Sequence, residues 1–363
     1  MERWISTASG SERGFPYEPR SLPLAVLIRE VHFPRKNMKR RDFMTKFAAA
    51  SSVLLAGMEA LAQDSTPSGV VIERPLAGAP HAGKVLVAIQ PHSDDIPLQA
   101  AGTVAKLIKE GYTGHLIRVT NDDMGDAPGL GQRGSIGENV LRNERDNQAV
   151  ARALGLQRVF DLNYGNHRLG GVPQTELQLR FIFLFRLLKA DTVVCYDPWS
   201  RDEENPDHYV TAHCVEAACW MAGREHDYPE QLAAGLQTHA VREKYYHGRG
   251  PNNITVNRVV DISGTIEQKI AANRANLAKG PAGEHGARLR AELAARNQRL
   301  PLLGDDDETA NREYIREFTL RRDREVGRKY GLEYAETFHY IGSSSSASSL
   351  EEYLKQHAVP LKK

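Results

Sequence analysis

The sequence predicts an α/β protein with a Rossmann-like, mostly parallel sheet, helices on both faces and a helical carboxyl-terminal part. Between positions 84 and 222, short apolar runs alternate with helical periods. That is the pattern of strand–helix–strand units wound onto one sheet. Helical runs stop at glycines, Gly111 and Gly155, where the chain must turn back toward the next strand. The chain has 363 residues, 41% of them hydrophobic and 26% charged, so a globular core is within reach.

In order, a strand over 84–90 ends in Gln90-Pro91 and leads to a helix over 97–110 with Pro97 in its first turn. A strand over 114–120 enters the polar loop NDDMGDAPGLGQRGSIGEN. Helix 138–154, strand 158–164, helix 174–189, strand 192–197 and helix 207–222 follow. Farther on, RVVDI (258–262) reads as one more strand, and helices are expected at 264–278, 284–298 and 309–330. The acids of GDDDET (304–309) are contiguous rather than spaced as calcium ligands, so this run reads as a solvated turn capping the next helix. A serine-rich piece, 343–349, joins a short terminal helix within a tail of 343–363.

The amino-terminal extension, 1–37, shows no period. Met38-Lys39-Arg40-Arg41-Asp42-Phe43 then precedes a short Ala/Ser-rich apolar stretch and Ala60-Leu61-Ala62. A basic region, a short apolar region and an A-x-A site are the parts of a cleavable export signal. The paired arginines resemble the twin-arginine type, which serves proteins exported already folded. The expectation is a signal peptide over 38–62, with Met38 the natural start, a linker over 63–83, and a periplasmic or extracellular mature chain. The apolar stretch is too short to span a bilayer. Residues 1–62 carry a net charge of +4 and the remainder −3, so nothing in the charge points to nucleic acid. The three cysteines, Cys195, Cys214 and Cys219, fit neither a disulfide framework nor a CxxC zinc pattern and are read as buried thiols.

Chemistry concentrates at two strand-to-helix junctions. The first holds His92, Asp94 and Asp95; the second holds Asn205, Pro206, Asp207 and His208. In a parallel sheet both lie on the edge formed by the carboxyl ends of the strands. A catalytic zinc site takes three His or carboxylate ligands and keeps a position for water. His92, Asp95 and His208 can supply the three ligands. Asp94 stays near the water, and Asp207 is placed to orient a ligand imidazole. Asp at a helix start also serves as a cap, so each junction alone has a purely structural reading. Ligand type does not by itself separate zinc from another divalent ion.

These motifs resemble the PIG-L/LmbE family of zinc-dependent N-acetylglucosaminyl deacetylases. Pro91-His92-Ser93-Asp94-Asp95 is similar to its first motif. Thr120-Asn121-Asp122-Asp123-Met124-Gly125, Asn205-Pro206-Asp207-His208 and Tyr334-Ala335-Glu336-Thr337-Phe338 follow in the family's order. Tyr245-Tyr246 and Val260-Asp261-Ile262 with Lys269 also fit, which puts a catalytic domain at 84–342. The resemblance implies zinc on His92, Asp95 and His208, Asp94 as general base, and release of acetate from an N-acetylated amino sugar or glycan. Three departures stand out. Ile96 replaces an acid, Asn205 replaces the first His of the second motif, and Asn276 stands where a late His is usual. Asn205 can donate a hydrogen bond to an oxyanion but cannot act as an acid.

Substrate contacts are expected from Asp123, Arg133 and Arg142, with Trp199 either a sugar platform or core. His167 and His247 are spare imidazoles that could replace the missing acid. His213, five residues after His208, should face away from it. Two other functions remain open on the sequence: a carbohydrate-binding protein that lost catalysis, and a metal hydrolase of another amide or ester.

Overall fold

A computed structural model of the chain describes residues 69–124, 135–278, 282–342 and 349–360, all within the unit Thr66–Lys363. The extension 1–37, the expected export signal 38–62, Arg133 and the serine-rich residues 343–348 lie outside the described residues.

Eight strands form one sheet: β1 Val71–Glu73, β2 Val85–Gln90, β3 Thr113–Thr120, β4 Arg158–Tyr164, β5 Thr192–Tyr196, β6 Glu243–His247, β7 Arg258–Asp261 and β8 Ala335–Ile341. Their order is β1-β7-β8-β6-β5-β2-β3-β4. All pairings are parallel except those of β8, which runs antiparallel between β6 and β7. β2 and β5 are buried almost throughout, which is why their sequences are continuous apolar runs rather than alternating ones.

Helices cover both faces, as expected. On one face, Leu86, Ala88 and Leu116 pack with Val104, Val150, Leu154 and Ile270. On the other, Val87, Ile89 and Val193 pack with Phe181, Phe185, Val215 and Cys219. β2, β3 and β4 progress in one direction across the sheet, and β5 returns to the other side of β2. The strand order therefore reverses between β2 and β5, and the crevice at their carboxyl ends is the switch point where such folds place ligands.

Four expectations change. The helix set at 97–110 is two helices, Asp95–Gln99 and Ala101–Lys109, broken at Ala100 (φ −143°). The second of them takes its first N–H groups to a remote carboxylate: Gly102 and Thr103 donate to Glu336 at 3.0 and 2.8 Å. The helix set at 309–330 is split by a π turn at Ile315–Thr319, where Leu320 N–H donates to Ile315 at 2.9 Å; the wider turn brings both buried residues to the core. Val71–Glu73, inside the expected linker, is an edge strand on β7. β6 and β8, unassigned from the sequence, fill the sheet between β5 and β7. The acidic turn behaves as expected, Asp306 capping its helix by accepting from Thr309 N–H at 2.8 Å.

Candidate metal centre and active site

The β2 junction is a turn gripped on every side. Pro91 carbonyl accepts from the Thr120 amide and hydroxyl at 3.0 and 2.8 Å. Ser93 donates its N–H to Asp122 (3.0 Å) and its hydroxyl to Asn143 (3.1 Å), and its carbonyl accepts from Asn276 (2.8 Å). Asn139, Asn143 and Asn147, spaced by four along the helix Ile136–Leu154, are all buried and present a polar stripe to this turn. With the backbone held, His92 N–H donates to Asp95 at 2.8 Å. Asp94 occupies the N-cap position of the helix Asp95–Gln99 without a side-chain capping hydrogen bond, and its half-buried carboxylate is near enough for Tyr196 to feel its charge.

The β5 junction is a longer loop closed by a conventional cap. Asn205 accepts from Asp207 N–H at 3.0 Å and Pro206 takes the first helical position of Pro206–Met221. This places Asp207 and His208 in the first turn, both buried. The Asp207 carboxylate also accepts the N–H groups of His167 and Leu169 at 2.6 and 3.2 Å.

The two junctions converge. His92 Nδ1 lies 3.0 Å from His208 Nε2 and 3.6 Å from Asp95, and His208 Nε2 lies 3.4 Å from Asp95. Ligands about 2.0–2.1 Å from a tetrahedral zinc sit roughly 3.3–3.5 Å from one another, so the triad has the right span. The outer nitrogens identify the tautomers. His92 Nε2 meets Asp207 at 3.0 Å and Asn166 Oδ1 at 2.9 Å; His208 Nδ1 meets Glu203 at 3.0 Å. Protons on those outer nitrogens leave two inner lone pairs facing each other beside a carboxylate, an arrangement that repels unless a cation lies between. The donor set of two imidazoles and one carboxylate fits a divalent ion.

The carboxylates around the two imidazoles are held ionised. Burial alone would raise Asp95, but His208 and then His92 outweigh it and hold its carboxyl well below the usual range. Burial likewise opposes ionisation of Asp207 and Glu203, yet His92 and backbone N–H groups keep Asp207 low, and His208, the Asn205 N–H and Arg249 keep Glu203 low. Carboxylates thus ring the two imidazoles, and Tyr196 completes the setting. Its hydroxyl donates to Asp95 at 3.0 Å and its ring stacks on His208, 4.1 Å between centroids.

The remaining expected residues fall around this centre. Asp123 accepts from Asn166 N–H at 2.8 Å and so ties the β3 turn to the residue that supports His92. Arg142 lies within the helix Ile136–Leu154, on the ridge of Glu138 and Asp146, both of which feel its charge. Trp199 is 55% exposed beside His339 and Tyr246, which removes its core reading. His213 meets the Pro198 carbonyl at 2.8 Å, away from the centre. His247 is buried and pushed down to about 3 by its burial, so it stays neutral and does not carry a proton to a leaving group at ordinary pH. His167 is exposed, with φ +60°. The three cysteines are buried free thiols. Sequence reading missed Tyr196, Asn166, Glu203 and the asparagine stripe. Only the stripe left a local signal, its four-residue spacing on a helix.

The fold and site together define an α/β protein with a candidate His–Asp–His metal centre at the switch point of its sheet. Residues 87–219, which contain both junctions, match the family model described as PIG-L: GlcNAc-PI de-N-acetylase. It is 28% identical over 200 residues to the diacetylchitobiose deacetylase of Thermococcus kodakarensis, covering 54% of this chain and 71% of that protein. It is 23% identical over 154 residues to the 4-oxalmesaconate hydratase of Pseudomonas putida, covering 42% of this chain and 58% of that protein. The solved N,N'-diacetylchitobiose deacetylase of Pyrococcus horikoshii superposes with a TM-score of 0.55 at 21% identity, covering 77% of this chain and 88% of that one. The 4-carboxy-2-hydroxymuconate hydratase of Pseudomonas putida gives 0.53 at 18%, covering 72% and 98%. At these identities the structural likenesses establish the fold.

Proposed function

We propose that this chain is an exported, metal-dependent amidohydrolase that removes the acetyl group from an N-acetylated amino sugar or glycoside of the GlcNAc type. The observation that carries the reading is the convergence of His92, Asp95 and His208 at 3.0–3.6 Å. The PIG-L match over both junctions and the deacetylase relative support the acetyl-sugar substrate. Export rests on the sequence of residues 38–62 alone.

His92, Asp95 and His208 would hold the ion, which is zinc on the family resemblance. A bound divalent ion supplies Lewis acidity, lowering the pKa of water and polarising a carbonyl. The chain does the rest. Asp94 takes a proton as water adds to the acetamide carbonyl, and the same carboxyl returns it to the departing amine nitrogen. The Asn205 side-chain oxygen is engaged by the cap, so its amide nitrogen is the end that donates to the carbonyl oxygen as charge gathers there. Asp207 fixes His92 through its outer nitrogen. Asp123, Arg133 and Arg142 are assigned to the sugar.

Metal content measured together with acetate release from a panel of N-acetyl and O-acetyl sugars tests the reading. Metal-dependent acetate release from the N-acetyl compounds, lost in Asp94→Asn, is expected; full activity of that variant or of chelator-stripped protein would overturn it. A second reading, addition of water to a carbon–carbon double bond, is favoured by the hydratase relative and by the absence of an acid at Asn205. Loss of absorbance from unsaturated dicarboxylates without acetate release from any sugar would select it.

A further inference from the structure

The run Arg201-Asp202-Glu203-Glu204 reads as a solvated loop, and Asp202 and Glu204 are indeed exposed. Glu203 is not: its side chain is 4% exposed. One of its oxygens, Oε1, meets three donors. These are His208 Nδ1 at 3.0 Å, the Asn205 N–H at 3.0 Å and the Arg249 guanidinium at 3.0 Å. A buried carboxylate is costly unless charged and hydrogen-bonded partners surround it. Here a half-exposed arginine from the segment after β6 supplies the charge.

The contact with His208 mirrors that of Asp207 with His92. Each carboxylate takes the outer N–H of one imidazole and so turns the other nitrogen inward. We infer that Glu203 is a positioning residue for the metal ligand His208, with the half-exposed Arg249 only offsetting part of the cost of burying its charge. The inference rests on the metal-centre reading above. It also couples two functional groups, because the carboxylate that orients His208 holds the backbone of Asn205, the residue assigned to the substrate carbonyl.

Removing a carboxylate that orients a metal-bound histidine weakens metal binding about 10–100-fold. The test is the zinc dissociation constant of the full chain, measured by competition with a chromophoric chelator, alongside thermal unfolding and the visible spectrum of the cobalt form. Glu203→Ala should bind zinc about 10–100-fold more weakly and shift the cobalt bands. Glu203→Gln keeps an oxygen that can accept the Nδ1–H bond and should recover most of that loss. Arg249→Ala breaks the tie between segments without touching His208 and should leave zinc binding within about threefold of the parent. If Glu203→Ala does not fold, Glu203→Met against Glu203→Gln decides the same question, since both replace the charge and only Gln offers an amide oxygen.

Parent-like zinc binding by Glu203→Ala overturns the inference. So does an equal loss in Arg249→Ala, which would make anchoring of the segments the whole role of Glu203. His208→Ala separates the two levels. Parent-like zinc binding by that variant removes the metal-centre reading itself, whereas loss of zinc there with none in Glu203→Ala removes only the role given to Glu203.

Discussion

Two clusters of buried carboxylates occupy the same chain, and they differ in the source of their positive charge. Behind the helix Ala101–Lys109, Lys269 lies 2.7 Å from Asp323 and 2.7 Å from Glu336, all three buried. The chain supplies its own cation there, fixed by a covalent tether. At the switch point, Asp95, Asp207 and Glu203 surround two imidazoles, and the permanent cation among their described ion-pair partners is the half-exposed Arg249. A carboxylate cluster closed by a lysine is architecture. One closed by two imidazoles with facing lone pairs is suited to a cation that arrives from outside.

Removing a ligand from the switch-point cluster should have the largest effect. Asp95→Ala is expected to lose bound metal and at least about a thousandfold in acetate release, about 4 kcal/mol of barrier. Retention of stoichiometric metal would erase the contrast between the clusters. Lys269→Met should instead act on stability, by about 3–5 kcal/mol in urea unfolding, because it leaves two buried carboxylates without their counter-charge. The folded fraction should keep its metal; a metal-poor folded fraction would show that the clusters are one system. Glu336→Gln keeps one acceptor oxygen for the helix start and should cost about 1–3 kcal/mol in the same assay.

The smallest effect concerns pH. Burial raises the Asp323 carboxyl above its usual value, the pull of Lys269 only partly offsetting it. A raised folded value favours the native state most below the unfolded pKa of about 3.9, and that contribution is lost as pH rises through the folded value. Asp323→Asn mimics the protonated form. Its stability relative to the parent should therefore improve between about pH 4 and pH 7, measured by denaturant unfolding at both. A gap that does not change with pH would mean that Asp323 titrates normally.

What the sequence revealed divides along the same line. The parallel half, β2 to β5 with its helices, was legible because its central strands β2 and β5 are buried apolar runs and its helices carry local signals such as Pro97, Gly111 and Gly155. His92 and Asp95 were legible because they directly follow such a strand, and His208 because Asn205-Pro206 marks the start of the next helix. β1 has three residues and β6 has five, too short for a period to emerge. The break at Ala100 was hidden because the group that caps the restarted helix, Glu336, lies 234 residues from Gly102. Glu203 was hidden among exposed acids, where composition argues for solvent and only the fold turns one of them inward. Tyr196 reads as the end of a strand, and nothing local marks its hydroxyl for Asp95.

β8 carries a consequence for how the molecule is made. It is the last strand of the sheet to leave the ribosome, yet it lies between β6 and β7. Until Ala335–Ile341 is available, the β1–β7 pair has no hydrogen-bonded neighbour linking it to the other five strands. The nascent sheet is therefore two pieces with open edges, the kind of surface that chaperones screen from aggregation. A stop codon just before Ala335 would leave every metal-ligand candidate intact while removing the strand that closes the sheet and the carboxylate that starts the helix Ala101–Lys109. The strand that closes the sheet is thus translated more than one hundred residues after the last candidate ligand.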